Sequence, residues 1–207
     1  DIHFDHRLAL EAMAQGADGI RINPGNIGGE EGLRLVAREA VSRRVPVRVG
    51  INLGSVRRSV LARHEGDHVG AIVESAGMYV GMLEDLGLEA IKVSLKSSDV
   101  LQTIDAYRRF SKMSLWPLHL GVTEAGPLIS GLVRSSVGIG VLLEEGLGDT
   151  VRVSLSADPL QEVFAGRILL ECLGIRAEGV RVIACPMCAR ACADVAAISS
   201  ELEDALR

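Results

Sequence analysis

The sequence predicts an α/β chain: a partial (β/α)8 TIM barrel followed by the opening of a second, smaller unit. Three observations carry that prediction. Five short segments alternate apolar and polar residues at the period of a β-strand. Stretches with helical spacing lie between them, which implies parallel pairing through crossovers. One parity of every strand is Ile, Val or Leu, while the other is rich in cations, amides and hydroxyls. An open doubly wound sheet is covered on both faces and reads as nearly continuous apolar runs. A barrel with one face on helices and the other towards a polar lumen fits the alternation better. An antiparallel sheet with one wet face is the alternative, and the intervening helices argue against it.

Taken in order, the strands are Gly19-Ile-Arg-Ile-Asn23, Val47-Arg-Val-Gly-Ile-Asn52, Ile91-Lys-Val-Ser-Leu-Lys96, Leu118-His-Leu-Gly-Val-Thr123 and Val151-Arg-Val-Ser-Leu-Ser156. Asp1-Ile-His-Phe4 reads as the tail of a further strand. The helical stretches are Leu33–Arg43, Gly70–Leu86, Val100–Ser111, Leu132–Glu145 and Leu160–Leu173. The last is punctuated by Asp158 as N-cap, Pro159 in its first turn and Gly174 past its end. Five strands do not close an eight-stranded barrel. With no initiator Met, and a last helix (Val195 to Arg207) without a stop signal, the chain reads as a fragment lacking both termini. Residues 1–175 form the partial barrel. A boundary falls near Gly174 to Gly179, and residues 176–207 open the second unit with a strand over Val180–Ala184.

Composition narrows the function. A net charge of −5 argues against a nucleic-acid binder, because phosphate backbones are held by excess Lys and Arg. No apolar run reaches the roughly 20 residues needed to span a bilayer, and no signal peptide is visible. Four cysteines are too few for a disulfide scaffold and point to a reducing, cytoplasmic setting.

Arg21, Arg48, Lys96 and Arg152 share the lumen parity of four different strands. Cations gathered in a barrel interior require an anionic ligand or internal carboxylates. Guanidinium forks suit phosphate oxygens, so a phosphorylated and preferably diphosphorylated substrate is expected. The turn Asn23-Pro-Gly-Asn-Ile-Gly28, ahead of a helix, could present backbone N–H groups to phosphate. Glu124 stands at the barrel mouth, where it could shuttle a proton or serve as an ion-pair partner for Arg152 or Lys96. His3 and His119 could bind phosphate, act as acids or sit hydrogen-bonded in the lumen. Cys185-Pro-Met-Cys188 suits a metal centre or a dithiol, yet the chain has no second ligand pair for either zinc or a cluster. Cys172, on a helix, reads as core.

The motifs together resemble the 4-hydroxy-3-methylbut-2-enyl diphosphate synthase family. Asp1-Ile-His-Phe4, residues 21–28, Lys92-Val-Ser-Leu-Lys96, His119-Leu-Gly-Val-Thr-Glu-Ala-Gly126, residues 148–155 and Ala184-Cys-Pro-Met-Cys188 carry the resemblance. It implies a TIM barrel followed by a small α+β iron–sulfur domain. It implies an oxidoreductase of isoprenoid precursor biosynthesis by the methylerythritol phosphate route. The reaction is reductive ring opening and dehydroxylation of 2-C-methyl-D-erythritol 2,4-cyclodiphosphate. Electrons come singly from flavodoxin or ferredoxin through a [4Fe–4S] cluster held by three cysteines and a glutamate. Cys185 and Cys188 match two of those ligands; the others belong to a later segment, and Cys192 is not assigned. Glu124 matches the barrel glutamate, a proton donor. Arg21, Asn23, Arg48, Asn52, Lys96, Arg152 and Ser154 match the substrate pocket, with His3 and His119 nearby. A homodimer is implied, each subunit's cluster closing over its partner's barrel, and the fragment alone is expected to be inactive. The competing readings are another phosphate-binding TIM-barrel enzyme with a structural metal knuckle, and a non-catalytic anion-binding fragment.

Overall fold

A computed structural model describes residues 1–177, 180–190 and 192–206. It divides into two compact units, Asp1–Leu169 and Leu170–Arg207. The first is built from α1 (His6–Ala14), β1 (Ile20–Ile22), α2 (Gly29–Arg43), β2 (Val47–Asn52), α3 (Arg58–Arg63), α4 (His68–Asp85), β3 (Ile91–Lys96), α5 (Val100–Ser111), β4 (His119–Leu120), α6 (Leu128–Glu144), β5 (Thr150–Val151) and most of α7 (Pro159–Cys172). β1, β2 and β3 pair in parallel in that order, as do β4 and β5. A parallel bridge between Val93 and Leu118 brings β3 beside the lead-in to β4, and one between Ile2 and Ile22 sets the first residues beside β1. Strand order therefore follows chain order along an open parallel arc, which rules out the antiparallel sheet. The described residues do not close a barrel.

Register sorts the side chains onto faces. Ile20, Ile22, Val47, Val49, Ile51, Ile91, Val93 and Leu95 are buried in one apolar core with Leu33, Val36, Ala37, Ile72, Ala76 and Leu83 of the helices. The polar parity takes the other face, where Arg21 pairs with Arg48 and Arg48 with Lys92 in one row, and Asn52 with Lys96 in another. Because side-chain direction alternates strictly along a strand, one apolar row per strand fixes the lumen row as well.

Several expectations are corrected. The fourth and fifth strands are two residues each, far shorter than the predicted spans. β5 has a neighbour on one side only among the described residues, so half of its ladder is missing. The short helices α1 and α3 were not foreseen from periodicity; α1 is held by the side chain of Asp5, which accepts from the Arg7 N–H, and buries only Ala9 and Met13. α7 matches its punctuation: Asp158 accepts from the Leu160 N–H at 2.9 Å. At its other end Gly174, at φ 65°, closes the helix through Gly174 N–H to Glu171 O and Ile175 N–H to Leu170 O.

In the second unit, the predicted strand over Val180–Ala184 is not formed; residues 180–188 carry no regular secondary structure. A strand needs a ladder partner, and no strand among the described residues offers one there; Ile183 is 81% exposed. α8 (Val195–Leu206) is the unit's own helix, capped by Asp194, which accepts from the Ala197 N–H. Arg207 and the Gly179 end of the predicted boundary lie outside the described residues. Cys172 is exposed, not core.

Tyr107 of α5 ties this helix to the arc. Its ring is fully buried, and its hydroxyl donates to His119 O at 2.5 Å and accepts from the Leu95 N–H at 3.1 Å. Tyr107→Phe in the full-length protein leaves both backbone groups unmet and lowers unfolding stability by about 1–3 kcal/mol. Denaturant titration checks this; an unchanged midpoint contradicts it.

Candidate active site

The lumen row gathers cations from successive strands. Arg21 is on β1, Arg48 on β2, Lys92 and Lys96 on β3, and Arg152 just past β5. Gly50 within β2 and Gly121 just past β4 make room for them. A Cβ on Gly50 would lie 2.6 Å from Arg21 Nε and 2.7 Å from its Nη2, so the Arg21 guanidinium lies across β2 at that point. A Cβ on Gly121 would lie 2.9 Å from Lys96 Nζ. Glycine inside a strand commonly marks such a close approach. That signal was present in Val47-Arg-Val-Gly and His119-Leu-Gly, and it would have found both positions.

Few carboxylates answer this charge. Asp1 pairs with Arg48 at 2.8 Å and reaches Arg152 at 3.9 Å. Glu162 of α7 is near enough to favour the Lys96 ammonium, while its Oε1 accepts from the Leu155 N–H at 2.8 Å. Neither Asp1 nor Glu162 was identified from sequence; nothing in their spacing marks them.

The electrostatic consequence shows at Arg21, Arg48, Lys96 and His119. Desolvation, then Arg48 and Arg152, lowers the Arg21 pKa. Desolvation and Arg152 do the same to Arg48. Lys96 falls from its ordinary 10.5 to about 7, first through desolvation and then through Arg48, Arg152 and Arg21. His119 falls to about 3 through desolvation and the surrounding cations. A group of like charges that depress one another is a field awaiting an anion.

His119 links three strands. Arg48 Nη1 lies 2.7 Å from His119 Nε2, and Thr150 Oγ1 lies 2.9 Å from Nδ1. A guanidinium only donates, so Nε2 must accept and the proton resides on Nδ1. His3 Nε2 stands 3.4 Å from Arg21 Nη1. Arg48 Nε is buried without a partner among the described residues.

The remaining candidates are placed less uniformly. Asn23 is buried, and its side-chain oxygen accepts from the Gly25 N–H at 3.1 Å, capping a 3-10 turn over Pro24–Asn26. The Asn26 N–H donates to Asn23 O. Two N–H groups of the expected phosphate turn are therefore spent internally, and Glu30 and Glu31 occupy the first turn of α2. The turn is a structural cap more than a cradle. Asn52 ends β2 and donates its backbone N–H to Ser55 Oγ, while Ser154 is half-buried beyond β5.

Glu124 is exposed in the loop that follows β4 and has no hydrogen bond or ion pair to another described residue, including Arg152 and Lys96. Its φ is 52°. A non-glycine residue in this left-handed region is uncommon and costs about 1–2 kcal/mol. Strain of this kind clusters at functional sites.

Cys185 and Cys188 are exposed. Among the described residues no three His, Cys, Asp or Glu side chains gather as a metal site. No helix among the described residues is long and apolar enough to cross a membrane.

With this geometry in view, comparisons with known proteins are specific. Residues 1–167 match the GcpE TIM-barrel domain. A 4-hydroxy-3-methylbut-2-en-1-yl diphosphate synthase (flavodoxin) from Desulfotalea psychrophila is 49% identical over 210 residues, covering 100% of this chain and 58% of the relative. Enzymes of the same name from Clostridium acetobutylicum and Caldanaerobacter subterraneus subsp. tengcongensis are 48% and 50% identical, over 100% and 98% of the chain and 59% and 57% of their own length. The chain thus spans under three-fifths of these relatives.

Gly50→Ala in the full-length protein sets a methyl group against the Arg21 guanidinium, whose atoms are the nearest it would meet. It should weaken pyrophosphate binding by about tenfold, equal to one lost charge-assisted hydrogen bond, with little change in melting temperature. Calorimetric titration checks it, and unchanged affinity contradicts the placement of Arg21.

Lys96 gives a pH signature. The unfolded chain holds this proton up to about 10.5 and the native state only to about 7, so between them the unfolded state binds more protons. Raising pH through that window favours the native state; below it the penalty is fully present. Lys96→Met should therefore gain more stability at about pH 6 than at about pH 9, measured by denaturant midpoints. Parallel curves for wild type and variant would contradict the shift.

Proposed function

The chain belongs to the GcpE TIM-barrel family, and we propose on that premise that it forms the substrate-binding part of a 4-hydroxy-3-methylbut-2-enyl diphosphate synthase. The observation that carries the proposal is the cationic arc of Arg21, Arg48, Lys96 and Arg152 with Asp1 as its one directly paired carboxylate among the described residues. Its substrate is 2-C-methyl-D-erythritol 2,4-cyclodiphosphate. The ring carries phosphate charge on both bridged phosphoryl groups, and the four cations offset it. As the ring C–O bond breaks, a diphosphate develops, and cations already fixed at its oxygens stabilise it without reorganising. Lys96, poised near neutrality, gains its full charge as the anion arrives.

Glu124 carries the proton chemistry in this reading. Its carboxyl, at the strand end and free of internal partners, delivers a proton to the hydroxyl that departs as water. His119 stays neutral and acts by holding Arg48. Asn52, Ser154, His3 and the amide nitrogen of Asn23 complete the pocket wall.

Residues 1–175 are the barrel part in this proposal, and 176–207 the beginning of the cluster domain. Cys185 and Cys188 are two ligands of a [4Fe–4S] cluster, the remaining ligands coming from elsewhere in the protein. When bound, the cluster supplies single electrons and Lewis acidity to the substrate oxygen. The relatives' names specify flavodoxin, which supports flavodoxin as the electron donor here. A homodimer and a reducing, cytoplasmic setting in which the two cysteines form no disulfide belong to the same reading.

The test is turnover of the cyclodiphosphate by the full-length, cluster-loaded protein with a one-electron reductant. Glu124→Gln should lower kcat by about 100- to 10,000-fold, the range for loss of a general acid, with substrate affinity nearly unchanged. A variant with wild-type kcat removes Glu124 from the chemistry; a wild-type protein without turnover removes the assignment.

A further inference from the structure

We propose that Thr150 is a positioning residue: by accepting the Nδ1 proton of His119 it fixes the imidazole tautomer whose Nε2 holds Arg48 in the lumen. The inference rests on the anion-binding reading of the arc and adds to it a residue outside the pocket positions matched so far.

Three facts converge. Thr150 and His119 are register partners on the parallel pair β4–β5, so their side chains rise side by side on the lumen face. Their polar atoms stand 2.9 Å apart. His119 Nε2 is 2.7 Å from Arg48 Nη1, although Arg48 is on β2 and β3 lies between β2 and the lead-in to β4. The Arg48 head group thus reaches over a whole strand to its anchor.

The chemistry of the donors leaves one consistent arrangement. Arg48 has only N–H groups to offer, so Nε2 must present a lone pair. A neutral imidazole then carries its hydrogen on Nδ1, which needs an acceptor, and the Thr150 hydroxyl oxygen is the acceptor in reach. His119 is only 7% exposed, and its backbone carbonyl is clamped by Tyr107, so the ring has little freedom to find another partner. Without the hydroxyl, the tautomer with hydrogen on Nε2 becomes competitive. That tautomer points an N–H at a guanidinium N–H and expels Arg48 from its place. Asp1, which holds the other Arg48 nitrogen, Nη2, at 2.8 Å, fixes position but not orientation.

A valine at 150 keeps the branched shape and removes the hydroxyl; a serine restores it. The experiment uses full-length protein labelled with 15N-histidine, comparing wild type, Thr150→Val and Thr150→Ser. Imidazole nitrogen shifts report the tautomer, and calorimetry reports pyrophosphate affinity. Wild type and Thr150→Ser should show His119 as the Nδ1–H form alone. Thr150→Val should show mixed tautomers and bind pyrophosphate about three- to tenfold more weakly, the worth of one hydrogen bond. A pure Nδ1–H signal in Thr150→Val overturns the proposal. So does mixed tautomerism with unchanged affinity, which would leave the hydroxyl a local structural bond. Failure of wild type to bind pyrophosphate, with the tautomer response intact, overturns the anion site itself and with it the positioning role.

Discussion

Mutual repulsion among Arg21, Arg48, Lys96 and Arg152, held together in a half-dry lumen, is the constraint on which the rest of this structure depends. Burial disfavours the charged forms of Arg21, Arg48 and Lys96, and Arg48 and Arg152 further lower the affinity of their neighbours for protons. The fold overcomes this through the apolar parity of the same strands. Ile22, Val49, Val93 and Leu95 are buried in one core with apolar residues of the helices, and strand alternation leaves the cations no other face to occupy. Stability stored on the helix side is used to hold charge on the lumen side, as preorganised electrostatic sites require.

Small residues and neutral anchors make that concentration tolerable. Gly50 and Gly121 let a guanidinium and an ammonium lie flat across neighbouring strands instead of colliding with side chains. His119 contributes an acceptor where a carboxylate would have cancelled the field. Asp1 partly screens Arg48 and Arg152, and Glu162 favours Lys96. The result is a site whose positive potential is largely uncancelled by carboxylates among the described residues.

Much of this was legible in the sequence. Period-2 alternation with cations on one parity yields both the strands and the lumen, because the geometry of a strand permits no other sorting. Helix α5 was read to the residue, and α7 to within one residue at each end, since capping is a local property. What was not legible depends on long-range contact. Whether Asn23 Oδ1 caps its own turn or faces a ligand is decided by the packing of that turn on residues 53–55, where a Cβ on Gly25 would lie 2.2 Å from Ser55 O. The pairing of Asp1 with Arg48 spans 47 positions and leaves no periodic trace. The Val180–Ala184 pattern looks like a strand in isolation, but a ladder partner decides it, and none is present among the described residues. Family resemblance supplied expectations that periodicity could not: a named cyclodiphosphate, a cluster and a proton-donor role for Glu124.

The central claim is that the arc is an anion site whose charge is completed by its ligand. Titrating the full-length protein with pyrophosphate near pH 8, in two buffers of different ionisation enthalpy, measures the protons taken up on binding. An anion that restores Lys96 towards its ordinary 10.5 should draw up close to one proton per site, in addition to any taken up by the ligand itself. Binding with no uptake beyond the ligand's own, and the same in Lys96→Met as in wild type, would contradict the account.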